Sequence, residues 1–296
     1  MFWKKEKLIL QYASRRGGST ILAQILEAED GVASIDQPFD LWKPESDRGK
    51  IIAEYIPAKA MSQFFELNDL EKKQVERYLK LIRNGRLQKL SNKPRCKKQI
   101  LKIVNAQGLV DILSELVPSI SVVMLRHPCS QALSVVKNKW GTCERPFLEA
   151  EDWSSKYLSK DQLEFGNKIS QEGSYLGRAI LNWCLEWHYS LKYSKQNYLI
   201  LYYEDMILNP EKFIDTLFSY LKFKNKDKAL SVLSTPSRSS SFSKERTLND
   251  IKLGNKYNLL SNWREGYTIE DLSIAQEILD VFEIKRYSVN SNIPFV

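Results

Sequence analysis

Residues 14–20 read Ser-Arg-Arg-Gly-Gly-Ser-Thr, set between the apolar run 8–13 and an apolar pattern at helical spacing, Ile21, Leu22, Ile25 and Leu26. Gly17 and Gly18 allow a tight turn and a close backbone approach to a ligand. The first turn of the helix that follows offers unpaired N–H groups and the positive end of its dipole. Ser19 and Thr20 add hydroxyl donors, and Arg16 adds a fixed charge. Together these types make an anion site suited to phosphate. A glycine turn with serine as N-cap satisfies the same seven residues without any ligand. The Walker A pattern is not met, because no lysine precedes Ser19 and the loop is too short.

A second constellation lies in VVMLRHPCSQALSVVKN, residues 122–138. Arg126 ends an apolar run, and Ser134 follows eight residues later, two turns into the helix that starts at Pro128. A strand-end arginine and a helical serine can converge on a second phosphate. The third segment is LYYEDMILNPEKF, residues 201–213. Its Glu204 and Asp205 fit a role in holding the turn through backbone N–H groups better than a metal or catalytic pair. His127 and His188 fit packing better than catalysis. Trp42, Trp140, Phe147 and Trp153 either line an acceptor pocket or pack in the core.

The elements that must position these residues alternate. Strands are read at 7–13, 32–35, 100–104, 121–125 and 198–203, and helices at 19–28, 68–84, 109–116, 129–139, 175–193, 210–221 and 269–283. The helix 68–84 carries a stripe of Leu70, Val75, Leu79 and Ile82, and the helix 175–193 one of Leu176, Ile180, Trp183, Trp187 and Leu191. Residues 141–173 read as a polar, irregular insertion, and 234–246 as a serine-rich loop. Continuous apolar strands alternating with helices predict an α/β fold of three layers (αβα), with a central, mostly parallel sheet of about five strands, similar to P-loop NTPases. One domain spans 1–296, with the inserted, acceptor-side region near 141–173. Ligands of such sheets bind beyond the carboxyl ends of the strands.

Composition narrows the classes. The chain has 296 residues and a net charge of +8, from 44 Lys and Arg against 36 Asp and Glu. The excess is local: residues 72–102 hold twelve basic residues, from Lys72 to Lys102, against Glu76 alone. That run is either a solvated helix face and basic loop or a field that draws anions. No nucleic-acid motif accompanies it, so no nucleic-acid partner is expected. Cys96, Cys129, Cys143 and Cys184 form no CxxC pair and read as reduced thiols. No apolar run is long enough for a signal peptide or a membrane span, so no membrane partner and a cytoplasmic location are expected.

In this order the three segments resemble the sulfotransferase superfamily, whose members use 3′-phosphoadenosine 5′-phosphosulfate (PAPS). RRGGST looks like the family's 5′-phosphosulfate loop, LRHPCSQALS like its 3′-phosphate motif, and YYEDMILNP like the segment after its last core strand. NWREGYTIEDLSIAQEIL is similar to the C-terminal helices of many bacterial members. The resemblance implies that Arg16 stabilises the bridging oxygen as the sulfuryl group leaves. Gly17, Gly18, Ser19 and Thr20 would then hold the 5′-phosphate, and Arg126 and Ser134 the 3′-phosphate. Tyr203 would stand on the adenine side, Lys244 or Arg246 would close over the 3′-phosphate, and Lys102 would reach the sulfate. Two departures stand out. Gly17 replaces the usual serine, and the usual positions of the base hold Val104 and Gln37. Asp36 is the expected base, with Asp40 and His127 as alternatives. The implied activity is sulfuryl transfer to a hydroxyl or amine of a small-molecule or carbohydrate acceptor, with no metal. The alternatives are an ATP and magnesium phosphotransferase and a non-catalytic polyanion-binding protein. The acceptor and the oligomeric state are not legible.

Overall fold

The computed structural model describes residues 7–41, 43–56, 66–93, 96–234, 249–250 and 254–295. Its strands are β1 (Leu8–Ala13), β2 (Val32–Asp36), β3 (Lys98–Ile103), β4 (Ser119–Leu125) and β5 (Tyr198–Tyr202). They form one sheet in the order β2-β3-β1-β4-β5, with every neighbouring pair parallel. All six residues of β1 are buried. This is why the strand is apolar at every position but Gln11 rather than alternating. Leu8, Leu10 and Tyr12 enter the core on one face, and Ile9 and Ala13 the core on the other.

The helices are α1 (Ser19–Leu26), α2 (Asp47–Ala53), α3 (Asp69–Arg83), α4 (Val110–Leu116), α5 (Pro128–Lys137), α6 (Glu144–Glu149), α7 (Glu151–Tyr157), α8 (Lys160–Glu172), α9 (Tyr175–Lys192), α10 (Tyr203–Leu208), α11 (Pro210–Leu221) and α12 (Lys226–Leu233), followed by Lys256–Ser261 and Ile269–Val281. Helices α3, α4, α5, α9 and Ile269–Val281 contribute to the core on the Leu10 face, and α1, α11 and α12 to the core on the Ile9 face. The architecture is the expected three-layer α/β sandwich, and its sheet is parallel throughout. No described helix is long and apolar enough to cross a membrane.

Two expectations are corrected. Leu70 does not join the buried stripe of α3 and is 68% exposed; Tyr78 packs beside Val75, Leu79 and Ile82 instead. Five residues separate Leu70 from Val75, which turns it about 140° round the helix at 3.6 residues per turn. The segment 141–173 is not irregular: α6, α7 and α8 occupy most of it and pack around α9. Phe147 and Trp153 are core residues, 2% and 1% exposed, with ring centroids 5.1 Å apart, and do not line a pocket. Their helices are only six and seven residues long. Charged residues on the outer side hide a period so short. The basic run also divides, with Arg77 and Lys80 exposed on α3 and Lys102 turned inward at 8% exposure.

Candidate functional site

Strand β1 ends in a turn closed by Gly17 N–H donating to the Ser14 carbonyl at 2.8 Å. Arg16 and Gly18 both have left-handed backbones, with φ of 64° and 93°. Gly18 is the N-cap of α1, with no side-chain cap. Ser19 is the first helical residue, so the serine N-cap reading does not hold. A Cβ on Gly18 would lie 2.7 Å from Met124 Cε and 2.8 Å from Tyr203 Cδ2. The loop therefore reaches β4 and α10 through a position that only glycine fits.

Gly17 is also explained. A Cβ there would meet the Ser14 carbonyl oxygen at 2.8 Å, backbone against backbone. Gly17→Ser, which restores the resembling family's serine, is thus expected to cost stability, about 1–3 kcal/mol for overpacking. Urea denaturation checks this; a variant at least as stable as the parent would show that the turn relaxes freely.

The tip of β4 meets this loop. Arg126 Nη1 donates to the Arg16 carbonyl at 2.9 Å and Nη2 to Ser130 Oγ at 2.8 Å, while the guanidinium lies 4.5 Å from the centre of the Tyr203 ring. Arg16 Nε in turn donates to Ser134 Oγ at 2.9 Å, and its guanidinium is 5.5 Å from the Trp140 ring. Arg16, Gly18, Arg126, Ser134 and Tyr203 therefore form one interlocked cluster. Two guanidinium groups share it, and Arg16 is held below the ordinary arginine value by burial and then by Arg126. Arg126 Nε is buried with no partner among the described residues. An oxyanion fits such a cluster, since it would accept from the unused donor and relieve the repulsion. Sequence reasoning missed Ser130 and also Gln131, whose Nε2 donates to the Arg15 carbonyl at 2.6 Å. Ser130 and Ser134 stand four apart on one helix face, a spacing that could have signalled a pair.

The adjoining tips bring the catalytic candidates together. Asp36 and Lys102 are directly opposite in the β2–β3 register. Their side chains therefore rise on the same face. Lys102 Nζ lies 2.6 Å from Asp36 Oδ1 and 3.4 Å from Thr20 Oγ1. The Asp36 side chain keeps 55% of its exposure, whereas that of Lys102 keeps 10%. Gln37, the next residue, donates its backbone N–H to the Lys102 carbonyl at 2.9 Å. Asp40 lies beyond a turn closed onto Gln37, and Val104 is buried. Lys244, Arg246 and Trp42 lie outside the described residues.

No protein-family model and no curated protein matches the chain. Solved structures resemble it. Mouse sulfotransferase SULT7A1 complexed with PAP is 13% identical over 97% of this chain and 87% of its own, with a TM-score of 0.45. The sulfotransferase domain of the Synechococcus PCC 7002 olefin synthase is 15% identical over 97% and 99%, with a TM-score of 0.46. The sulfotransferase domain of the curacin biosynthetic pathway is 13% identical over 94% and 97%, also with a TM-score of 0.46. Likenesses this low carry no weight for the chemistry, which rests on the side chains themselves.

The histidine alternative for the base is excluded by burial. His127 is 1% exposed; its Nδ1 accepts from Cys129 N–H at 3.2 Å and its Nε2 meets the Ser288 carbonyl at 3.1 Å. Both ring nitrogens are engaged, and the residue caps α5. Glu204 accepts from a backbone N–H, that of His127 between β4 and α5: its Oε1 accepts from His127 N–H at 2.8 Å and its Oε2 from the Tyr287 hydroxyl at 3.1 Å. His188 is likewise buried, with Nε2 at the Tyr157 carbonyl.

Burial raises Glu204 to about 7 and lowers His127 to about 4. The stabilising contribution of Glu204 is therefore full below its unfolded value of 4.5 and lost as pH rises through about 7. That of His127 is present above its unfolded value of 6.5 and lost as pH falls toward about 4. The two slopes oppose between these limits. Glu204→Gln removes one of them, so the variant is expected to lose stability relative to the parent as pH falls from 7 to 4.5. Melting temperatures of both proteins across that range decide it, and a pH-independent difference would refute it.

Proposed function

We propose that the chain is a sulfotransferase that moves a sulfuryl group from PAPS to a hydroxyl or amine of a small-molecule or carbohydrate acceptor. The observation that carries the reading is the interlock of the two anion cradles, Arg126 on the Arg16 carbonyl and Arg16 on Ser134, each at 2.9 Å. A donor with phosphate at both ends needs two such cradles side by side, and ATP does not. When bound, PAPS supplies the sulfuryl group and a phosphate leaving group.

The protein's part is positioning and charge. The Gly17–Gly18 backbone, Ser19 and Thr20 form a cradle for the 5′-phosphate, and Arg126 and Ser134 one for the 3′-phosphate. In this reading Arg16 compensates the charge that develops on the leaving oxygen, and Lys102, beside Thr20, that on the sulfuryl oxygens. Asp36, paired with Lys102, can take the proton of an acceptor hydroxyl. Its ion pair with Lys102, at 2.6 Å, holds it in place.

Calorimetry with adenosine 3′,5′-bisphosphate tests the reading. Micromolar binding, about −8 kcal/mol, is expected, unchanged by magnesium and much weaker for nucleotides without the 3′-phosphate. No binding, or preference for ATP with magnesium, would overturn it. The assignment of Asp36 has its own test. Asp36→Asn is expected to lower kcat by roughly 10²–10⁴, with nucleotide affinity nearly unchanged. An unaltered kcat for a hydroxyl acceptor would remove Asp36 from the mechanism.

A further inference from the structure

Helix α9 is buried along most of its length, yet it carries a carboxylate, Glu186, at 1% exposure between the buried Trp183 and Trp187. A carboxylate there is costly unless well hydrogen-bonded. Two of its partners lie on different elements, the β1 loop and α9 itself. Ser14 Oγ, at the start of the β1 loop, donates to Oε2 at 2.6 Å, and Asn182 Nδ2 donates to Oε1 at 2.9 Å.

The polarity of both arms is fixed. The Trp187 indole N–H, which can only donate, bonds Ser14 Oγ at 2.7 Å, so the single Ser14 proton goes on to Glu186. The Cys143 backbone N–H, also a donor only, bonds Asn182 Oδ1 at 2.9 Å, so the Asn182 amino group must face Glu186. Two donor chains therefore end on one carboxylate, and no neutral side chain with a single oxygen can terminate both. The circuit closes on the other side, where Arg15 Nη2 donates to the Gly141 carbonyl at 3.0 Å and lies 3.5 Å from Cys143 Sγ. Residues 138–143 connect α5 to α6 and carry Trp140, the ring against Arg16.

We infer that Glu186 is a positioning residue that couples the loop 14–18 to the segment 138–143, so that ordering one orders the other. That the loop binds the donor rests on the proposed function; the coupling itself does not.

The test uses the half-exposed Cys143 thiol as a reporter, with half-exposed Cys96 as internal reference. Alkylation by N-ethylmaleimide is followed peptide by peptide by mass spectrometry in the nucleotide-free protein, and adenosine 3′,5′-bisphosphate affinity is measured in parallel. Glu186→Gln and Ser14→Ala are each expected to speed Cys143 alkylation about 5-fold or more, leave Cys96 unchanged, and weaken the nucleotide by a similar factor. Adding Asn182→Asp to Glu186→Gln restores the hydrogen-bond polarity with the charge moved one turn, and should return both readouts close to the parent's. A purely structural role for Glu186 predicts no such rescue. If Glu186→Gln fails to fold, Ser14→Ala, which removes one oxygen, decides alone. Unchanged Cys143 rates, or a double variant no better than Glu186→Gln, would overturn the coupling. If the parent binds no nucleotide, the proposed function falls, while the alkylation rates still judge the coupling.

Discussion

Arg126→Ala is expected to weaken adenosine 3′,5′-bisphosphate by at least about 100-fold. Hydrogen bonds to charged groups are worth about 1.5–3 kcal/mol each, and tenfold in affinity is about 1.4 kcal/mol. The substitution removes the cation facing the ligand. It also frees the Arg16 carbonyl and Ser130 Oγ, the two groups through which Arg126 holds the loop. Arg126→Lys keeps the charge but not the fork that reaches both groups, so an intermediate loss is expected. Titration calorimetry on the three proteins, with thermal melts as a folding control, makes the comparison. An alanine variant that binds within about threefold of the parent would place the second phosphate elsewhere, far from the 1.5–3 kcal/mol scale of such contacts.

Gly18→Ala carries the second large effect, and it combines two costs. At φ of 93° a side chain is strained, and the added methyl would overlap Met124 Cε and Tyr203 Cδ2. The first costs about 1–2 kcal/mol and the second about 1–3 kcal/mol. A fall in melting temperature of roughly 5–10 °C should follow, given about 2–4 °C per kcal/mol for domains somewhat smaller than this one. Because Tyr203 also lies over the Arg126 guanidinium, nucleotide affinity should fall with stability. A variant with unchanged melting temperature would show that Met124 and Tyr203 yield easily. A variant with the lower temperature but full affinity would separate the loop's packing from its binding role.

The fold was legible because its strands are doubly buried. Leu8–Ala13 and Ser119–Leu125 present apolar runs bounded by loop residues, and the βα alternation admits few other sheets. The cluster of Arg16, Gly18, Arg126 and Ser134 was legible as a candidate for a similar reason, since glycine, arginine and serine at a strand–helix junction have few other joint uses. What escaped depends on partners remote in sequence. Glu186 is 172 residues from Ser14, and nothing near it in the chain signals that contact. The pairing of Asp36 with Lys102 needs the strand register, which spacing alone does not supply. Helices α6 and α7 are too short for periodicity, and the burial of Phe147 and Trp153 depends on partners outside them. Gly17 read as a missing hydroxyl until the carbonyl of Ser14 showed that a side chain has no room there.

The central place of β1 bears on how a ribosome must deliver this chain. The earliest strand of this sheet in the chain is the innermost, and both its neighbours, β3 and β4, lie about a hundred residues downstream. At roughly 5–20 residues per second, the nascent segment waits several seconds with five apolar residues and two open edges exposed. Truncated chains ending before Leu125 should accordingly cling to chaperones rather than fold, and the arginine cradle cannot form until translation has passed the sheet's far side.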